Sequence, residues 1–431
     1  MTRRRKRPNL FGWTLLGLVL LFGYYFNQVY LPAQPIPFDA TPTVTRSPES
    51  FVTEAEALFK DGKLLQAIES YQSAIDADPQ NPALYIALAK IQVFAGQYEE
   101  AESNAQNALL LSPENSMAHA VLAWALDFQP GRNSDAMEEI DKAITLDPQN
   151  AIAHAFRVEI LIDSGSDTNV LTAIEVSKTA LGLNPDLMET RRARAYLLEA
   201  TGNYEEAIQF HRSAIELSPN LALLHMELGQ NLRIMGVYED AIREFTLANT
   251  LNPPDPEPDR LISRTYATMG DYAKALQYAE TASKDRPMDA ALRANYGVMY
   301  YRNFEYEKAV EQLELAINGG QTEDGFPIKG LPLENEVRTV EYYFTYGMAL
   351  ARTYQCGEAL RIVQEIQTKV RLDDASMEVV NDAVNRTMEI CQENLDNPPV
   401  TPSPTELDAT AVDETAPPDT ETPEPVETPT P

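Results

Sequence analysis

The chain has 431 residues and a formal net charge of -31, from 34 Lys and Arg against 65 Asp and Glu. This charge argues against a nucleic-acid-binding protein, because phosphate binding needs a basic surface. Hydrophobic residues make up 44% of the chain, which is enough to build a core and excludes wholesale disorder. The two cysteines exclude a disulfide framework and a multi-cysteine zinc site.

The N-terminus predicts a membrane anchor. Residues 1–8 include five basic side chains, and residues 9–30 carry no charge. As a helix, the run from Leu10 to Tyr30 is about 31 Å long, close to the thickness of a bilayer's hydrocarbon. The basic residues predict that residues 1–8 stay in the cytoplasm and that the rest is extracytoplasmic. A cleaved signal peptide is the alternative, although this apolar run is unusually long for one. A buried core helix is disfavoured because the run has no polar face.

Two segments have the composition of linkers. Residues 31–49 contain five prolines, which favour an extended stalk. Residues 396–431 contain ten prolines, eight threonines and nine acidic residues, without Lys, Arg or His. Such a tail cannot form a core, so we expect it to be disordered. Its Thr-Pro pairs resemble exported, sometimes glycosylated, bacterial spacers; low-complexity drift is the alternative reading.

A repeat dominates the middle of the chain. Prolines recur at spacings of 34, 35, 37, 34, 34 and 34 residues. They are Pro79, Pro113, Pro148, Pro185, Pro219, Pro253 and Pro287. An alanine lies five residues before each proline, and another lies seven residues before that alanine. The pattern predicts two antiparallel helices per unit, with small residues at their contact and a proline that ends the second helix. So short a unit must stack on its neighbours to bury its apolar face.

This pattern resembles the tetratricopeptide repeat family, in a membrane-anchored bacterial form. The resemblance implies an all-α fold in which helix-turn-helix units form a right-handed superhelical solenoid. Eight units occupy residues 50–317, followed by a Gly/Pro-rich insertion loop at 318–335. A degenerate ninth unit occupies 336–372, and a capping helix occupies 373–395. The resemblance says little about function, because these repeats serve many pathways.

Motifs for chemistry are missing from the sequence. It contains no phosphate-binding loop, nucleophile elbow, metalloprotease motif or dinucleotide-binding turn. His119, His154 and His225 share one repeat position, and His211 falls at an aromatic packing position. We interpret all four as packing residues. We therefore expect no enzymatic activity, no cofactor and no metal site.

The two cysteines lie in the last predicted helices. Cys356 is near the start of the second helix of unit nine, and Cys391 is near the end of the capping helix. Counted from the turn between these antiparallel helices, both lie at nearly the same level. A disulfide is geometrically possible, and an exported location would permit it. Two buried free thiols are the alternative.

In the resembled family, the first helices line the concave surface and contact extended peptides or partner helices. Transferring those positions onto this chain predicts the following groove residues: Lys90, Trp124, Arg192, Tyr196, Gln230, Arg233, Arg260, Arg264, Tyr301, Arg302 and Arg352. The arginines are concentrated from the fifth unit onward. They predict a locally basic groove for a peptide with acidic groups or a terminal carboxylate. The alternative is that they pair with neighbouring glutamates along a solvated face.

These features together predict a membrane-anchored, extracytoplasmic scaffold that binds partner proteins or peptides. One alternative is an assembly chaperone that presents client termini. Another is a non-catalytic accessory module of a separate envelope enzyme, such as a glycosyltransferase or peptidase. The tethered acidic tail is also a candidate competitor for the groove.

Overall fold

The computed structural model describes residues 10–26 and 46–397. Within them the chain forms 20 helices and one short hairpin. The elements are α1 Leu10–Tyr25, α2 Pro48–Lys60, α3 Leu64–Ala77, α4 Pro82–Phe94, α5 Tyr98–Leu111, α6 Ser116–Asp127, α7 Asn133–Leu146, α8 Ala151–Asp163, α9 Asp167–Leu183, α10 Met188–Ala200, α11 Tyr204–Leu217, α12 Ala222–Ile234, α13 Tyr238–Leu251, α14 Glu257–Met269, α15 Tyr272–Asp285, α16 Ala290–Arg302, α17 Tyr306–Asn318, β1 Gly320–Gln321, β2 Pro327–Ile328, α18 Val337–Arg352, α19 Cys356–Lys369 and α20 Asp374–Asp396. Most of the predicted stalk and nearly all of the predicted tail lie outside the described residues.

Helix α1 falls within the predicted membrane anchor. It has 16 residues, or about 24 Å, and residues 9 and 27–30 of the predicted anchor lie outside the described residues. Across residues 10–26 and 46–397, no helix combines the length and apolar character needed to cross a membrane. The predicted transmembrane helix is therefore not supported by the described structure.

The predicted all-α solenoid is confirmed. Helices α2 to α17 form eight consecutive antiparallel pairs, and α18 with α19 forms the ninth. The predicted small residues lie at the contacts; Ala67 and Ala74, for example, are fully buried. Gly229 shows why size matters, because a Cβ at this position would lie 2.5 Å from the ring of Phe245. The helix pairs can approach this closely only with a small side chain there.

The turn inside each helix pair needs one residue in the left-handed region. Seven of the units use glycine there, with φ between 68° and 81°. These are Gly62, Gly96, Gly131, Gly165, Gly202, Gly236 and Gly270. The last two units instead place Phe304 (φ 65°) and Tyr354 (φ 62°) at this point. Both aromatic side chains are largely exposed.

The insertion at 318–335 has more structure than a loop. Strands β1 and β2 pair antiparallel, with Gly320 opposite Ile328. The segment then returns to the stack, where the Leu331 N–H donates to the Ala316 carbonyl at 2.9 Å. The Tyr343 hydroxyl donates to the Leu331 carbonyl at 2.7 Å. These bonds attach the insertion between unit eight and unit nine.

The first five units curl until they meet the sixth. The Asn220 side chain donates to the Lys60 carbonyl at 2.9 Å, across 160 residues of sequence. Ile68 and Phe94 share one apolar cluster with Leu221 and Leu224. The early first helices therefore face other parts of the chain rather than an open channel.

Candidate peptide-binding site

A polar network fills the axis of the early units. The Trp124 ring stacks on Phe156, with centroids 4.3 Å apart, and its indole N–H donates to Glu159 Oε2 at 2.9 Å. Arg192 Nη1 donates to Glu159 Oε1 at 2.7 Å, and Arg192 Nε donates to Glu227 Oε1 at 2.8 Å. Burial raises the pKa of Glu159 to about 7, while the Arg192 guanidinium acts in the opposite direction. Arg192 is therefore shared between two carboxylates of the network.

Three predicted groove residues lie in this closed region. Trp124 is fully buried and Arg192 is 4% exposed. The Lys90 ammonium forms an ion pair with the buried Glu189 on α10. Trp124 and Arg192 therefore lie in the core and not on an open surface, because the superhelix curls tightly enough for their side chains to meet partners across its axis. Lys90 is half-buried in its ion pair.

Tyr196 lies beside a pair of carboxylates. Its hydroxyl donates to Asp163 at the end of α8. Asp127, at the end of α6, accepts from the Asn133 side-chain amide at 2.8 Å. Burial and the neighbouring Asp163 charge raise the pKa of Asp127 to about 8. Tyr196 is half-buried and already has a partner.

The later units leave more of their inner face accessible. Helices α12, α14, α16 and α18 lie side by side as successive first helices. The predicted residues on them are half-buried, except for the buried Arg260 and the exposed Arg302 and Arg352. The half-buried ones are Gln230, Arg233, Arg264 and Tyr301. The structure therefore brings this second group together and separates it from the first.

Glutamates pair with part of this arginine set. Arg260 forms a fork-shaped ion pair with Glu257, one turn earlier on α14. Glu341 on α18 accepts from Arg264 at 2.9 Å and from Arg302 at 3.0 Å. The alternative reading from the sequence, that arginines pair with neighbouring glutamates, thus holds for these three.

The outer end of this face is aromatic. The Tyr301 and Tyr306 rings lie 5.4 Å apart, and the Arg352 guanidinium lies 5.9 Å from the Tyr306 centroid. The Tyr301 hydroxyl lies 3.6 Å from Met348 Sδ. Tyrosine and arginine are the residue types that most often dominate protein-binding surfaces.

Sequence reasoning missed Arg338, Glu341 and Tyr342 on α18. They sit three and four residues apart, so they share one helix face. Their unit departs from the repeat pattern, which left its inner positions unassigned. The available signal was this spacing of three and four residues within one predicted helix.

The histidines have structural partners. The Nε2 atoms of His119, His154 and His225 lie 3.0, 3.0 and 2.9 Å from the carbonyl oxygen of the proline six residues earlier. Each histidine thus ties the start of one unit to the end of the previous one. His211 is fully buried. In the stretches that the structure describes, no three His, Cys, Asp or Glu side chains are grouped to hold a metal ion.

A disulfide joins Cys356 and Cys391, with Cα atoms 5.5 Å apart. It links the start of α19 to the end of α20. The Asn394 side chain also donates to the Ala351 carbonyl at 2.7 Å. The capping helix is therefore attached at the end of α18.

Comparison with known proteins identifies the repeat. Residues 58–125, 193–221 and 261–324 each match a family described as tetratricopeptide repeat. No curated protein matches the chain. A solved tetratricopeptide repeat protein from Parabacteroides merdae ATCC 43184 shares 20% identity, over 58% of this chain and 98% of that one, with a TM-score of 0.39. That similarity is too low to support any argument about function.

Proposed function

Because this chain belongs to the tetratricopeptide repeat family, we propose that it is a scaffold that holds an extended partner peptide on the inner face of α12, α14, α16 and α18. Repeats of this family support protein–protein interaction in general. The observation that carries the finer proposal is the difference in accessibility between the two halves. In the early units Trp124 and Arg192 are buried by other side chains of the chain, whereas in the later units most of the predicted residues are half-buried or exposed and include arginine and tyrosine.

Site-specific photo-crosslinking in intact cells tests this. A photoreactive residue replaces Gln230 or Tyr301 on the inner face, and Leu247 on α13 serves as the control. Leu247 is 47% exposed and lies on a second helix, away from the proposed site. We expect protein adducts from the two inner positions and few from Leu247. Equal adduct yields from all three positions would contradict the proposal.

The location is a further part of this proposal. Five basic residues followed by an uncharged run support an anchored, extracytoplasmic protein. The Cys356–Cys391 disulfide also fits an oxidising compartment. Protease added to intact spheroplasts should degrade the repeats, and carbonate washing should leave the intact chain with the membrane. Protection of the repeats from protease would reject this location.

Proteins of this family are generally non-catalytic scaffolds. We propose that this chain likewise acts by equilibrium binding, with no bond made or broken. Hydrolase or transferase activity in the purified protein would overturn that part of the proposal.

A further inference from the structure

Four arginines from three helices converge on the later inner face. Arg260 and Arg264 lie one turn apart on α14, and Arg233 lies near the end of α12. Arg338 lies near the start of α18, one turn before Tyr342. Arg264 reaches α18 directly, through its bond to Glu341 at 2.9 Å. The guanidiniums therefore surround one small region between α12, α14 and α18.

This region has more donors than acceptors. Glu257 and Glu341 are the two carboxylates paired to the cluster, and Glu341 is shared with Arg302. Arg233 and Arg338 form no ion pair within residues 46–397. Two carboxylates thus serve five guanidiniums, in a chain whose net charge is -31.

Within the part of the chain that the structure describes, several donors are buried without an acceptor. Arg260 is 7% exposed, and its Nη1 has no partner. Tyr342 is 2% exposed, and its hydroxyl has no partner either. The Nε of Arg233 is also buried without a hydrogen-bond partner. A buried donor without an acceptor destabilises the fold, so three of them in one place indicate a missing acceptor.

The charges also act on each other. Burial lowers the pKa of Arg233, and the positive charges of Arg264, Arg338 and Arg260 lower it further. Burial together with Arg260 and Arg264 lowers the pKa of Arg338. An anion between these groups would relieve the repulsion and supply the absent acceptor.

We propose that Arg233, Arg260, Arg338 and Tyr342 form a binding site for a carboxylate group of an acidic peptide segment. This inference rests on the proposed function, since it names the chemistry that the scaffold recognises. A carboxylate suits the site because a planar guanidinium fork matches its two oxygens. The carboxylate has two possible sources, a separate partner and the chain's own acidic tail, and the experiment distinguishes them.

The probe is a fluorescein-labelled synthetic peptide with the sequence of residues 417–431, which carries four acidic side chains and a terminal carboxylate. Its binding is measured by fluorescence anisotropy at low salt. The protein is the full chain in which the acidic residues of 406–427 are replaced by their amides, so that the tethered tail cannot compete. We expect saturable binding that weakens with added salt. A probe with Asn, Gln and an amidated C-terminus should not bind.

The variant Arg233→Gln, Arg338→Gln removes two arginines that have no ion-pair partner. We expect its affinity for the probe to fall by about tenfold or more, since each charge-assisted bond to a buried anion is worth about this much. The matched control is Arg243→Gln, an exposed arginine on the second helix α13. It should bind the probe as the parent chain does. Equal affinity in the inner variant, or equal binding of the uncharged probe, would overturn the inference.

Thermal unfolding shows whether the inner variant still folds. Because the substitutions remove mutually repelling charges, the melting temperature of the inner variant should be unchanged or higher. A lower melting temperature would show that these arginines stabilise the fold and would count against a binding site.

Two comparisons complete the design. If the tail supplies the carboxylate, the chain with its natural tail binds the probe more weakly than the neutralised chain; equal affinities point to a separate partner. Failure of probe binding while Gln230 still crosslinks to a protein would reject the carboxylate site and leave the scaffold standing. If the probe binds but no protein is crosslinked at the inner positions, the carboxylate site is supported and the proposed scaffold function is rejected.

Discussion

The two halves of the stack contain the same helical hairpin but differ on their inner faces. From α4 to α10, Lys90, Trp124 and Arg192 meet partners across the axis, and each of their charges is paired. From α12 to α18, most of the predicted inner residues are half-buried or exposed, although Arg260 and Tyr342 are buried. This face includes Arg233 and Arg338, which have no carboxylate partner among the described residues. The difference teaches that a repeat unit does not by itself produce a groove. The curl of the superhelix determines whether the inner positions become core or surface.

The largest expected loss of stability is in the closed half of the stack, from α4 to α10. Arg192→Met leaves the buried Glu159 and the half-buried Glu227 without their cation, and breaking a buried pair costs about 3–5 kcal/mol. The control Arg302→Met, in the open half, removes an exposed arginine whose partner Glu341 keeps Arg264; we expect a cost of about 0–1 kcal/mol. Thermal and urea unfolding measure both. Equal losses of stability from the two substitutions would contradict the difference in burial between the two halves.

The next effect concerns helix contacts. Gly229→Ala places a methyl group 2.5 Å from the Phe245 ring, and such overpacking costs about 1–3 kcal/mol. At Gly347, in the ninth unit, the nearest atom would be Ile362 Cγ2 at 3.6 Å. Gly347→Ala should therefore be stabilising by up to about 1 kcal/mol, through its helix propensity. Opposite shifts in melting temperature are expected, and shifts of the same sign would show that α18 packs as tightly as α12.

A smaller change in melting temperature is expected at the turns inside the helix pairs. Phe304→Gly and Tyr354→Gly relieve a left-handed backbone conformation, which costs a non-glycine residue about 1–2 kcal/mol. Each should raise the melting temperature. The reciprocal change Gly202→Ala, in the closed half, should lower it by a similar amount, since no side-chain clash is involved there. If the glycine variants melt lower than the parent, the exposed rings stabilise their turns through contacts that outweigh the strain.

The smallest effect is on the pH dependence of stability. The pKa of Asp127 is raised to about 8, first by burial and then by Asp163, so folding favours its protonated form. That contribution is complete below the unfolded-state pKa of about 4 and disappears as the pH rises through about 8. Asp127→Asn should therefore reduce the fall in melting temperature between pH 6 and 9.

Asp271 in the later half provides the control of opposite sign. The hydrogen bonds from the Lys274 side chain and backbone lower its pKa, so its contribution is present above the unfolded-state pKa and disappears in acid. Asp271→Asn should lower the melting temperature by a constant amount from pH 6 to 9, and the difference from the parent chain should disappear at acidic pH. An effect of Asp271→Asn that varies between pH 6 and 9, or an effect of Asp127→Asn that does not vary there, would contradict the assignment.

Local rules predicted the helices well. Ala67 and Ala74 are buried as their spacing required, and α3 ends at Ala77, before Pro79. The same rules placed Arg192 and Arg264 in one groove, yet the first is buried and the second half-exposed. They also missed Arg338 and Tyr342, because the ninth unit departs from the repeat. A repeat position fixes which helix face a residue occupies, but it does not fix what that face meets.

The sequence alone determined the hairpin units, their number and their order, because a 34-residue period of small residues and prolines acts through contacts within one unit and its neighbour. Only the tertiary structure decided which inner faces close. Small rotations between units add along the stack until Asn220 meets Lys60, and no single repeat encodes that sum. For the same reason, the arginines on α12 and α18 that have no ion-pair partner among the described residues could be identified only once the helices were in place.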